Sequence, residues 1–319
     1  MQMKKIALEE HFWTEGFPDL GKANADLFEP SFRRLIDERL PEFSELRIAA
    51  MDAAGIAVSV LSLISPGVQI ERDHSKAVSA AQRANDFLSD EIAKHPTRYA
   101  GFAHLAMQEP GAAARELDRC VKALGFKGAL INGHSNGVYL DDPRYLPFWE
   151  RVAELDVPIY IHPVHMAVRP PVFDNYPGLA ASMWGWTAET GGHVLRLILS
   201  GLFDRLPTLK IILGHMGETL PFCLWRIDSR FKIYRPKVKL ERLPSDYIRR
   251  HVYATTAGAC QAEALQCTIA ALGAEHVMFS VDYPLEDSLE AAHFIEAAPI
   301  GEHERELVCW KNAARLLRL

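Results

Sequence analysis

Short apolar runs alternate with longer amphipathic ones along the whole chain, the rhythm of a β/α protein. Eight runs read as strands, at residues 6–8, 58–63, 99–105, 127–131, 158–161, 209–213, 252–255 and 277–279. Their apolar residues are continuous rather than alternating, as in parallel strands covered on both faces. Between them the 3.6-residue period predicts helices over 45–53, 74–95, 111–124, 147–155, 189–202, 218–231 and 260–272. Two more, near 289–297 and 302–317, close the chain. Pro96 and Gly125 stop two of these helices. Two connections exceed an ordinary loop: the aromatic-bearing segment 12–43 after strand one, and the Pro-rich segment 163–186 after strand five. A basic stretch reaching about Lys239 leads into strand seven.

Parallel strands linked by helices form either an open doubly wound sheet or a closed barrel. A nucleotide-binding open sheet wants a Gly-rich turn after its first strand, whereas this strand ends in Glu9-Glu10-His11. The expected fold is therefore an α/β (β/α)8 TIM barrel, one domain over residues 1–319, with long loops after strands one and five.

Composition changes this picture little. The chain is 49% apolar and 24% charged, as a soluble globular protein is. A net charge of −6 with both signs spread along the chain argues against a nucleic-acid partner and for a cytoplasmic protein. No apolar stretch is long enough to span a membrane, and Met1-Gln2-Met3-Lys4-Lys5 leads too quickly into Glu9-Glu10 for a signal peptide. Five cysteines without a Cys-x-x-Cys pair read as reduced thiols.

The chemistry lies at the strand ends. Glu9, His11, His162, His215 and Asp282 each fall where the chain leaves a predicted strand. Carboxyl ends of parallel strands share one face of a barrel, so five metal-capable side chains would meet in one pocket. Glu9 and His11 stand two residues apart and so share a strand face. Glu218 follows His215 by three residues, either orienting its imidazole or serving as an ordinary first-turn acid. In a barrel, strands one and eight are neighbours, which would bring Asp282 to Glu9 and His11. Mixed nitrogen and oxygen donors suit one divalent ion, Zn²⁺ or Mn²⁺. Aromatic residues on the two long loops, Phe17 and Trp186 among them, wall a flat ring, pack the loops onto the barrel or form a subunit contact.

Five segments together resemble the decarboxylase branch of the amidohydrolase superfamily. They are Leu8-Glu9-Glu10-His11-Phe12, Val157-Pro158-Ile159-Tyr160-Ile161-His162-Pro163, Ile212-Leu213-Gly214-His215-Met216-Gly217-Glu218, Trp225-Arg226-Ile227-Asp228 and Phe279-Ser280-Val281-Asp282. The chain is similar there to the γ-resorcylate and 2,3-dihydroxybenzoate decarboxylases. The resemblance also takes in Leu124-Gly125-Phe126-Lys127-Gly128-Ala129-Leu130-Ile131-Asn132 and Ser200-Gly201-Leu202-Phe203-Asp204, and so covers nearly the whole chain. It implies a divalent metal held by Glu9, His11, His162 and Asp282, with His215 beside it. It implies non-oxidative removal of CO2 from an ortho-hydroxylated aromatic acid in a homodimer or homotetramer. Asp282, His215 and Glu218 would be catalytic, and Arg226 would help to hold substrate, across a subunit interface. Leu285 stands where those enzymes tend to have Phe, and Ala257-Gly258-Ala259-Cys260 where they often read Ser-Gly-Asn-Phe. The rival expectation is a metal-dependent hydrolase of a lactone or amide, or a hydratase, using water activated at the metal. Asn132 occupies the place after strand four where a Lys would bridge two metals, which favours a single ion.

Overall fold

A computed structural model describes residues 3–18, 27–234 and 237–319. Eight strands carry it: β1 (Lys5–Phe12), β2 (Ile56–Leu63), β3 (Tyr99–Gly101), β4 (Ala129–Asn132), β5 (Ile159–His162), β6 (Ile211–Leu213), β7 (Val252–Thr255) and β8 (Val277–Met278). All ladders are parallel, in the orders β1-β2-β3 and β4-β5-β6-β7-β8. Single parallel bridges join the two sheets at both seams, Ala103 to Ala129 and Glu10 to Tyr283. The strands thus form the ring of a (β/α)8 barrel, the expected fold.

Among the described residues, ten helices of eight residues or more pack around it: α1 (Pro30–Arg39), α2 (Glu45–Ala54), α3 (His74–Lys94), α4 (Pro110–Lys122), α5 (Leu146–Leu155), α6 (Gly185–Leu199), α7 (Leu220–Phe231), α8 (Pro244–His251), α9 (Ala262–Leu272) and α10 (Ser288–Ala297). The C-terminal segment is helical over Glu302–Glu306 and Asn312–Leu317, with a π turn, Leu307–Lys311, between them. Two helices lie where the sequence suggested loop. α1 begins at Pro30 inside the long first connection, of which residues 19–26 lie outside the described residues. α8 begins at Pro244 and buries Tyr247, Ile248 and His251 after the basic stretch.

The barrel interior holds one apolar layer below its upper rim. Ile6 and Leu8 of β1, Val60, Phe102, Leu130, Tyr160, Ile212 and Met278 pack together, closed beneath by Ala313 and Leu317. A larger core fills the space between strands and helices. β1 is longer than expected: it runs on through Phe12, paired to Leu63, so Glu9 and His11 lie within the strand rather than past it. Its register with β2 shifts between Ala7 and Glu10. There the amides of Leu8 and Glu9 both donate to Ser280 Oγ, at 3.2 and 2.6 Å. This irregularity switches the inward face from the even residues Ile6 and Leu8 to the odd residues Glu9 and His11. Bulges of this kind commonly re-aim side chains beside active sites.

Candidate metal centre

Four donor side chains meet at the upper rim of the barrel. Glu9, His11, His162 and Asp282 each offer an atom within 4.8 Å of the others, and all four residues are buried. His11 Nε2 is 3.1 Å from Asp282 Oδ1, and His162 Nε2 is 3.3 Å from Glu9 Oε1. Donors about 2.0–2.2 Å from one ion stand roughly 3.0–3.5 Å apart, so the spacing is that of ligands around a shared cation.

The hydrogen bonds on the far side of each donor support the same reading. His162 Nδ1 lies 2.9 Å from the Pro163 carbonyl, which can only accept, so Nδ1 carries the proton and Nε2 a lone pair. His11 Nδ1 is 3.2 Å from Ser62 Oγ. The Tyr160 hydroxyl donates to Glu9 Oε2 and sits 2.9 Å from Thr255 Oγ1. Glu9 Oε1, His11 Nε2 and Asp282 Oδ1 are left buried without a hydrogen-bond partner. Buried polar atoms are rarely orphaned, and lone pairs turned toward one point are reconciled by a cation. The donor set fits one divalent ion.

The electrostatics agree. Burial pushes the Glu9 carboxyl up to about 7, against the pull of His215 and His11. Burial, then the His11 imidazole, holds His162 well below the ordinary histidine range. Burial also works to raise Asp282, but the imidazoles of His11 and His215 outweigh it and hold the group below the carboxylate range.

His215 stands next to this cluster, its Nε2 3.7 Å from Asp282 Oδ2 and 4.0 Å from Glu9 Oε1. The segment around it departs from expectation. Glu218 was expected one turn along a right-handed helix, but His215, Met216, Gly217, Glu218 and Thr219 all have positive φ, from 49° to 77°. The chain makes a left-handed turn before α7 begins at Leu220. For residues other than Gly this conformation costs about 1–2 kcal/mol each, and such strain concentrates at functional sites. The turn still brings His215 Nδ1 to 2.8 Å from Glu218 Oε1. Burial disfavours the charged imidazole, but Glu218 and Glu9 outweigh it and raise His215 well above its ordinary range. Asp282 too has positive φ, 80°.

Two glycines leave room for these groups. A Cβ on Gly214 would fall 2.5 Å from Glu9 Oε2, and one on Gly258 would fall 3.1 Å from His215 Cδ2. Gly258 and His215, the residue beside the centre, border a cleft of about 620 Å³. Met183 and Trp184 of the long fifth connection line it, as do Cys260, Glu286 and Glu290.

The residues expected to hold substrate are dispersed, and none of the four is among those lining this cleft. Phe17 packs edge-on to His104, their ring centroids 6.1 Å apart. Trp186 donates from Nε1 to His165 Nδ1 at 3.3 Å. Leu285 packs with Ile36 of α1, with Leu40 just past that helix and with Ile64. Arg226 is exposed on α7, beside the exposed Trp225. Three further residues bear on the centre, of which only Asn132 was singled out in the sequence. Tyr160 and Ser62 bond its ligands, and Asn132, level with His162 on β4, is fully buried with Oδ1 unpartnered. A period of two back from His162 would have marked Tyr160 as inward-facing.

Comparison with known proteins extends these observations. A family model described as amidohydrolase matches residues 9–319. The γ-resorcylate decarboxylase of Polaromonas sp. (strain JS666) is 44% identical over 99% of this chain and 98% of its own length. A crystal structure of 2,6-dihydroxybenzoate decarboxylase complexed with 2,6-dihydroxybenzoate superposes with a TM-score of 0.93 at 40% identity, covering 100% of both chains. A dihydroxybenzoic acid decarboxylase from Polaromonas sp. JS666, with bound manganese and the inhibitor 2-nitroresorcinol, also gives 0.93, at 42% identity over 100% of this chain and 98% of that one.

Proposed function

The chain belongs to the amidohydrolase family, and from that premise we infer that it is a metal-dependent, non-oxidative decarboxylase. Its substrate is an ortho-hydroxylated aromatic acid of the dihydroxybenzoate type, and it releases CO2. The observation that carries this reading is an intact four-donor cluster in a chain that matches such a decarboxylase almost end to end.

Glu9, His11, His162 and Asp282 are the residues that would hold the ion. When bound, a divalent cation supplies the positive charge that anchors the substrate's carboxylate and neighbouring oxygen. Two imidazole nitrogens and two carboxylate oxygens suit Mn²⁺ and Zn²⁺ alike, and a solved relative holds manganese. Asp282 is the proton donor to the ring carbon: as the bond from that carbon to the carboxylate breaks and CO2 leaves, the electron pair takes up the proton. Asp282 is held ionised, so it must first receive that proton. His215, 3.7 Å away and oriented by Glu218, handles the proton of the phenol or of water that supplies it. Asn132 Oδ1, inward-facing and unpartnered, is placed to accept a hydrogen bond from a ring hydroxyl.

Several features follow from the same reading. Residues 1–319 act as one (β/α)8 domain, supported by strands that run from Lys5 to Met278. The enzyme works in the cytoplasm, supported by five free cysteines. No helix of the described residues is long and apolar enough to cross a membrane. It assembles as a homodimer or homotetramer, supported by Phe222 and Trp225, 84% and 77% exposed on one face of α7. Arg226 beside them would then reach a neighbour's cleft, with Phe17, Trp186 and Leu285 shaping the loops around the ring. An Asp282→Asn variant tests the assignment. It keeps the shape of the donor but cannot release a proton, and CO2 release should fall by about 10²–10⁴-fold. Full activity with metal retained would remove Asp282 from this role.

A further inference from the structure

Two metal donors sit on β1 and a third, Asp282, just beyond β8, so the seam between these strands sets their spacing. That seam is short: its one ladder bridge, Glu10 to Tyr283, is made of backbone bonds from Asp282 N to the Glu9 carbonyl at 3.0 Å and from His11 N to the Tyr283 carbonyl at 2.7 Å, where β1 and β2 register six residue pairs. Two buried charged side chains reinforce it from the outer face. Glu10, which alternates with Glu9 and His11 and so points away from the centre, accepts at Oε1 from the Val281 amide at 3.0 Å and the Ser280 hydroxyl at 3.2 Å. It therefore grips the chain one residue before Asp282. Arg47 of α2 donates from Nη2 to the His11 carbonyl at 2.7 Å. Its guanidinium also lies 4.6 Å from the ring centroid of Tyr283, the residue after Asp282. Glu10 and Arg47 are 2% and 1% exposed; burial pushes the Glu10 carboxyl up to about 8, against the pull of the Arg47 guanidinium.

Burying a guanidinium and a carboxylate is expensive, and well-packed apolar residues often stabilise a fold as well or better. Tying a seam alone does not call for them. A metal site does call for ligand distances held to about 0.2 Å, and Glu10 and Arg47 add side-chain bonds to the backbone pair and the Ser280 hydroxyl that join the two strands there. We propose that Arg47 and Glu10 are positioning residues that set the span between the Glu9–His11 pair and Asp282, and thereby the affinity for the cation. The inference rests on the metal-dependent reading given above.

Calorimetric titration of Mn²⁺ into metal-free protein tests it, with the Mn²⁺ electron paramagnetic resonance spectrum as a second readout. Arg47→Met should raise Kd about 10–100-fold, the usual effect of removing a group that orients metal ligands. It should also change the spectrum. Arg47→Lys should recover part of the affinity, because an ammonium can still donate to the His11 carbonyl. If Arg47→Met does not fold, Glu10→Gln decides: it keeps the acceptor oxygen, loses the charge facing Arg47, and should weaken Mn²⁺ by a smaller factor. Folded variants with wild-type Kd and spectrum, even at a lower Tm, reduce the pair to a structural role and overturn the inference while the metal-dependent reading stands. A wild-type chain that binds no Mn²⁺ overturns both.

Discussion

His215 Nδ1 stands 2.8 Å from Glu218 Oε1, across a turn whose residues all adopt left-handed backbone conformations. Three residues of ordinary helix would place these side chains on one exposed face. Here the turn buries Glu218, 1% exposed, beneath an imidazole that still reaches the cleft. The carboxylate fixes the ring and favours its protonated form.

Glu218→Gln keeps the shape and removes the charge. Activity should fall about 10–100-fold, as when a ligand-orienting carboxylate is lost. The sign of the pH effect also follows. Glu218 raises the His215 pKa, so without it His215 loses its proton at lower pH, and the alkaline limb of kcat should move down. A full pH–rate profile of both enzymes checks this, and an unmoved limb would detach Glu218 from His215.

Gly214 is needed for the space it leaves rather than for its backbone freedom. Its φ of −70° is open to any residue, but an added Cβ would lie 2.5 Å from Glu9 Oε2. Gly214→Ala should therefore displace a metal ligand while leaving the barrel folded. Metal analysis after dialysis should show the variant depleted relative to wild type, with its circular dichroism unchanged. Equal metal content would mean that Glu9 is free to move.

Two histidines away from the centre each lower stability as pH falls. Burial pushes His104 and His193 each down to about 3. Their Nε2 atoms accept the amides of Val68 at 2.9 Å and Leu140 at 3.0 Å, a role only neutral rings can fill. An unfolded histidine takes up its proton near pH 6.5. As pH falls below that value the unfolded chain binds more protons, and stability drains away toward pH 3 at up to about 1.4 kcal/mol per pH unit for each ring. Urea unfolding at several pH values should show this slope, reduced by one proton in His193→Asn. The same slope in His193→Asn as in the wild type between about pH 7 and 5 would contradict it.

Much of the centre was legible because its signals are local. Glu9 and His11 share a strand face by simple alternation, and His162 and Asp282 each follow an apolar run that no helix would produce. What stayed hidden depends on distant partners or unusual backbone. The left-handed turn at His215–Glu218 shows in the sequence only as Gly214 and Gly217, which also suit a helix start. The Leu8–Glu9 irregularity depends on Ser280, far along the chain, receiving two amides. Arg47 looks like any charged helix residue until its guanidinium is seen reaching His11. α1 and α8 each open on a proline, a start signal, but their short polar sequences carry a faint apolar period. Substrate contacts were the least legible, because ring-binding side chains come from loops whose paths no period fixes.

The most direct measurement is CO2 release from 2,6-dihydroxybenzoate by the protein loaded with Mn²⁺ and by the same protein stripped with a chelator. One equivalent of CO2 and one of resorcinol per substrate consumed, lost on chelation and regained with Mn²⁺, is the expected result. A protein that binds one Mn²⁺ per chain, yet releases no CO2 from this or any other ortho-hydroxybenzoate and opens a lactone instead, would contradict the decarboxylase assignment and make it a hydrolase on the same barrel.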